Sequence, residues 1–151
     1  MHAKPPLAPF VMLALALVGV GIAGFLSYYQ YNNLIPSCAI GGCEIVLTSP
    51  ESKLLGLPWS YYGLVYYVYM LCLSVLLVID PASRALKWGA LAYAGIGALY
   101  SGWAIFYVQL SVIGAVCEYC AMSAATTLLL LITSVWHYRS SGGTIASTHA
   151  D

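Results

Sequence analysis

Residues 111–136 read SVIGAVCEYCAMSAATTLLLLITSVW. The run is long and apolar enough to cross about 30 Å of hydrocarbon, which takes roughly 20 helical residues. Inside it lies a C-x-x-C pair, Cys117 and Cys120, flanking an acid, Glu118. Two thiols at that spacing can close a small, exchangeable disulfide. A thiol pair at a bilayer edge needs an electron carrier in the lipid and a thiol partner in the water. The stretch therefore points to a membrane protein and to redox chemistry together.

Composition agrees with the membrane reading. Of 151 residues, 62% are hydrophobic and 7% charged, against roughly 25% charged in an ordinary globular domain. The net charge is zero and no Lys/Arg-rich run occurs, which argues against nucleic-acid binding. Four segments are long enough to span: 9–29, 59–79, 86–109 and 111–136. The first exceeds the 7–15 apolar residues usual in a secretory signal, so it is read as a span. The expected fold is an all-α membrane protein, a four-transmembrane-helix bundle occupying residues 1–140. A polar tail, 141–151, is expected to be disordered, and no fused domain is expected after it.

Charge sets the orientation. An even number of spans puts both termini on one side, together with Lys4, Arg84, Lys87 and Arg139, and leaves Lys53 on the other. The positive-inside rule then makes both termini cytoplasmic. The loop of residues 30–58 and the hairpin tip near Ser111 fall on the extracytoplasmic side, in a cytoplasmic (inner) membrane. Trp59 marks an outer helix end, and Trp88 and Trp136 mark inner ends, as in an aromatic belt. Cys117, about six residues into the fourth span, sits roughly 9 Å along its axis. A second pair, Cys38 and Cys43, lies in the outer loop, so both pairs face the oxidising side where disulfides persist.

Each pair has a plain reading beside the redox one. Cys38 and Cys43 enclose Gly41 and Gly42, whose backbone freedom lets a small loop close and reopen; a structural staple would look the same. Cys117 and Cys120 share one helix face. They can be core cysteines, or half of a zinc site using all four thiols, although zinc knuckles normally sit in water. Haem attachment fails because Ala121 stands where a His is needed. Cys72 lies roughly 20 Å inward of Trp59 and reads as a small core residue.

Other residues carry two readings as well. Glu118, an ionisable group at membrane depth, is a functional candidate by default, unless it faces the outer loop. Ser49-Pro50-Glu51 reads as a helix start and Gly56 as its stop. The loop is therefore expected to carry a short surface helix over 50–55. Tyr93, Tyr100 and Tyr107 recur every seven residues as a packing seam, with Tyr107 at the depth of the C-x-x-C.

Read in order, the loop pair Cys38 and Cys43 precedes Val46-Leu47-Thr48-Ser49-Pro50, Ser52-Lys53-Leu54-Leu55-Gly56-Leu57-Pro58 and Gly63. Val112-Ile113-Gly114-Ala115-Val116-Cys117-Glu118-Tyr119-Cys120 follows, and then Ser123-Ala124. This pattern, over roughly residues 9–137, resembles bacterial members of the vitamin K epoxide reductase family. DsbB-type oxidases are similar in logic, but there the C-x-x-C comes before the long cysteine loop.

The resemblance implies a four-helix bundle around a quinone, ubiquinone or menaquinone, with no metal. Cys38 would exchange with a separate thioredoxin-fold, DsbA-like partner on the outer face, and Cys43 would attack toward Cys117. Cys120 would face the quinone. By position, Ser49, Trp59, Tyr107 and Ala124 are the expected quinone-side residues. Animal epoxide reductases carry Tyr where this chain has Ala124, and a polar Asn where it has Trp59. Those departures point away from epoxide reduction and leave quinone reduction untouched. The implied activity is thiol:quinone oxidoreduction in disulfide-bond formation. Its alternatives are a disulfide-stapled structural tetraspan protein, a membrane metal-binding module, and an epoxide or quinone reductase running on partner thiols.

Overall fold

A computed structural model describes residues 6–142 of the chain. Helix α1 spans Leu7–Tyr31. The cysteine loop follows, carrying α2 (Cys43–Thr48), a single 3-10 turn (Pro50–Ser52) and a hairpin of β1 (Lys53–Leu54) and β2 (Leu57–Pro58). The hairpin pairs antiparallel, Lys53 opposite Pro58 and Leu54 opposite Leu57. Helix α3 spans Trp59–Ile79, and α4 spans Arg84–Trp103 and continues in wider, π-helical turns over Ala104–Ile113. Helix α5 spans Glu118–Gly142. Beyond its first two residues, the segment 141–151 expected as a tail lies outside the described residues.

Four of these helices are long and apolar enough to cross a membrane: Leu7–Tyr31, Trp59–Ile79, Arg84–Ile113 and Glu118–Ser140. They form the expected bundle. Helix α1 packs on α3 and α5, and α4 closes the ring against α5 and α3. Met12, Ala16, Tyr67, Met70, Leu77, Ala90, Ala94 and Leu130 fill the interior, while Leu17, Val65, Ile96, Leu99 and Ile132 point outward. Outward leucines are what a lipid-facing surface requires, because lipid offers apolar side chains no penalty.

Small residues let the helices approach. A Cβ on Gly19 would collide with the Tyr67 ring, and one on Gly97 with Tyr66. Tyr67 reaches across to α5, where its hydroxyl donates to the Ser123 carbonyl at 2.8 Å and meets the Ser123 hydroxyl at 2.8 Å. Of the tyrosine stripe, Tyr93 stacks on Tyr66 and Tyr100 packs against Trp59 and Trp103. Tyr107 stacks on Trp103 but stays exposed.

Three local expectations are corrected. Cys72, expected as a core residue, is exposed. The loop does carry a short helix, but over Cys43–Thr48; residues 50–55 hold only the 3-10 turn and the start of the hairpin. Leu55 (φ 54°) and Gly56 (φ 81°) turn the chain left-handed there, ending any helix after one turn. The junction of the last two spans also differs. The third span, α4, continues past Gln109 to Ile113, where Gly114 (φ 75°) stops it, a left-handed cap that glycine adopts freely. Cys117 therefore ends a short link between the spans instead of lying within the fourth.

Candidate functional site

The link and the cysteine loop meet at one end of the bundle. Cys38 and Cys43 form a disulfide, with Cα atoms 6.1 Å apart, and Cys117 and Cys120 are free thiols. Cys43, Val46 and Cys117 make a small buried core, with Cys38, Ile113, Ala115, Tyr119 and Cys120 packed around it. The two pairs are thus in one cluster, although 79 residues separate Cys38 from Cys117 in the chain. Their exposures differ: Cys43 and Cys117 are buried and Cys38 is partly open.

Backbone geometry brings them together. Gly41 (φ 77°) and Gly42 (φ 87°) turn the loop left-handed, and a Cβ on Gly42 would lie 2.6 Å from the Val116 carbonyl oxygen. Only glycine suits both demands. Cys117 stands at the residue before α5, and its carbonyl accepts the Ala121 N–H at 3.0 Å. Helix starts present unpaired N–H groups and favour negative charge. The Cys120 thiol, hydrogen-bonded to Cys117, lowers the Cys117 thiol from 9.0 to about 7; burial opposes this, the Cys120 and Tyr119 N–H groups reinforce it, and Glu118 opposes it.

Gln109 supports this pair from below. Its backbone carbonyl accepts from the Ala115 N–H at 3.1 Å, and its side-chain Oε1 accepts from the Cys117 N–H at 3.1 Å. The same side chain hydrogen-bonds Cys120. Gln109 is 1% exposed, so every one of these bonds is made away from water. The π-helical turns rotate it inward, in line with the frequent appearance of such turns at functional sites.

Beneath the loop lies a cavity of about 300 Å³, bordered by all four spans and by loop residues Val46, Leu47, Ser52 and Leu54. Its walls are mostly apolar and aromatic, and Gln109 and Cys120 are among its polar edges. That is the composition of a small-molecule site: apolar walls with a few placed polar groups.

A model of the Vitamin K epoxide reductase family matches residues 10–135. The chain belongs to that family. The match takes in both cysteine pairs and most of every span, and it makes this vitamin K epoxide reductase family member an integral membrane oxidoreductase.

The structure places the four residues expected beside a quinone differently from one another. Trp59 borders the cavity. Ala124 does not, though Ser123 and Thr127 of the same helix do. Tyr107 borders a separate cleft with Trp59, Tyr100 and Trp103. Ser49 sits between α2 and the 3-10 turn, where its hydroxyl donates to the Glu51 carboxylate and holds that acid below its usual range. Among the described residues, no three His, Cys, Asp or Glu side chains converge as a metal site would need. Gln109 escaped the sequence reading except as a helix end. An amide in an otherwise apolar span was the available signal, because unpaired polar groups are costly there.

Proposed function

We propose that this family member is a thiol:quinone oxidoreductase that reoxidises a thioredoxin-fold protein. The observation that carries the reading is the stacking of the Cys38–Cys43 disulfide on a C-x-x-C whose Cys120 opens onto an apolar cavity. Partly open Cys38 meets a partner in water, buried Cys43 meets Cys117, and Cys120 meets the lipid-soluble acceptor. We also propose, from the charge distribution, that both pairs face the extracytoplasmic side.

The exchange balances in four steps. A partner thiolate attacks Cys38, releasing Cys43, and the partner's second thiol resolves the mixed disulfide, leaving Cys38 and Cys43 reduced. With Cys117 and Cys120 oxidised, Cys43 attacks Cys117 and releases Cys120. Cys38 then attacks Cys43, remaking the loop disulfide and releasing Cys117. The lowered Cys117 thiol favours this last step, since a more acidic thiol leaves faster. The cavity fits a flat ring bearing carbonyl oxygens, with Trp59 as an aromatic wall and Gln109 as a hydrogen-bonding edge. A quinone bound there supplies a sink for two electrons and two protons, which restores the Cys117–Cys120 disulfide.

The test mixes purified protein, a reduced thioredoxin-fold protein and a soluble quinone analogue, and follows quinone absorbance. Quinone loss is expected, falling more than about a thousandfold in Cys117→Ser or Cys120→Ser, as for residues that act as one unit. Loss that survives both substitutions would reject the relay. Wild-type inertness combined with unstable variants would favour a structural staple.

A further inference from the structure

The inner residues of Cys117-Glu118-Tyr119-Cys120 take no part in the exchange, yet both reach the loop that carries the other pair. The Glu118 carboxylate accepts the Ala39 N–H at 3.2 and 3.3 Å and the Ile40 N–H at 3.4 Å. The Tyr119 hydroxyl donates to the Ser37 carbonyl at 3.1 Å. Cys38 is therefore gripped on both sides, at Ser37 before it and at Ala39 and Ile40 after it.

An acid in the first turn of a helix ordinarily serves that helix's own dipole. Glu118 instead spends its oxygens on N–H groups 79 and 78 residues away. Those N–H groups lie inside the small ring closed by the disulfide, where no helix or strand pairs them. The Tyr119 ring is itself fixed against Phe25 of α1, with centroids 5.3 Å apart. The grip thus runs from the bundle, through the C-x-x-C, to the loop.

We propose that Glu118 and Tyr119 form a clasp that holds the Cys38–Cys43 loop in its disulfide-bonded position over Cys117. The relay role of that loop rests on the thiol:quinone reading; the clasp itself does not. Both are positioning residues. They favour the oxidised loop, and a partner that draws Cys38 outward must first break their hydrogen bonds. Removing the clasp destabilises the closed ring, so the loop disulfide becomes easier to reduce. Hydrogen bonds to a charged group, discounted here for exposure, suggest about a tenfold effect.

The experiment equilibrates the full-length protein with glutathione buffers and reads Cys38–Cys43 oxidation by peptide mass spectrometry. Glu118→Ala is expected to make this disulfide about tenfold easier to reduce, ~30 mV for a two-electron couple. Glu118→Gln keeps an acceptor oxygen and should recover part of the shift. Tyr119→Phe, the mildest change, should move it the same way by about threefold. In a Cys38→Ser, Cys43→Ser background, Tyr119→Phe should leave the Cys117/Cys120 potential unchanged, which a general loss of structure would not. An unmoved loop potential in both Glu118→Ala and Tyr119→Phe overturns the clasp. So does a Gln variant as damaging as Ala, which would assign the effect to charge. Wild-type protein that reduces no quinone, with these shifts present, rejects the relay and leaves the clasp standing.

Discussion

The two ends of the bundle are built on different terms. Away from the cysteines, regular helices meet over Met12, Ala16, Met70, Leu77, Ala90 and Leu130. Hydroxyls there bond chiefly within their own helix: Ser74 to Met70, Thr133 to Leu129 and Ser134 to Leu130, with Ser134 also reaching the Met12 Sδ of α1 at 4.0 Å. At the cysteine end the backbone leaves regular geometry at Gly41, Gly42, Gly114 and the π-helical turns. Polar groups there bond between segments: Gln109 to Cys117, Tyr62 to the Leu54 carbonyl, and Glu118 to Ala39. One half satisfies these hydroxyls mainly on their own helix, which suits a membrane interior. The other half relies on contacts between segments, the kind that local opening breaks.

The largest effect expected from this contrast is at Cys117. A shift from 9.0 to about 7 is about a hundredfold in proton affinity. In the Cys38→Ser, Cys43→Ser variant, alkylation of reduced Cys117, followed by peptide mapping, should plateau above pH 7 and fall below it as the thiolate protonates. A midpoint near 9 would mean that the helix start and Cys120 do not tune this thiol. Next comes Gln109→Leu, which strands the Cys117 N–H and removes a Cys120 partner. Turnover per folded molecule should fall about tenfold or more, because the reacting sulfur loses its fixed position. The melt should show a loss of about 1–3 kcal/mol.

In the regular half the effects should concern stability alone. Leu77→Met, a volume-conserving change at a fully buried position away from the cavity, should cost under about 1.5 kcal/mol, with turnover per folded molecule retained. Thr133→Val deletes only a bond within its own helix, so its melt should lie within about 0.5 kcal/mol of wild type. A large loss of turnover in Thr133→Val would erase the distinction between the two halves.

The same division explains what the sequence made legible. Hydropathy marks spans because lipid imposes one rule on every residue, and 59–79 coincides with α3. The meeting of the two pairs follows from topology, since α3 and α4 between them return the chain to the same end. The junction at 110–117 was not legible: Val112, Ile113, Ala115 and Val116 are as apolar as any helix, and only Gly114 hints at the break. The surface helix was misplaced because Ser49-Pro50-Glu51 is a sound start signal, which the left-handed turn at Leu55 and Gly56 cuts short. Glu118 made no sense within its own motif because its partners are distant backbone N–H groups. No spacing rule connects side chains to such groups.

Gly42 gives the loop a second kind of hold. The clasp must surrender hydrogen bonds when Cys38 moves, whereas Gly42 meets Val116 through the absence of a side chain. That contact is a fit and not a bond. Nothing polar is stranded when it opens, and nothing must be found again when it closes. This close approach between the two redox segments can therefore be undone without breaking a hydrogen bond.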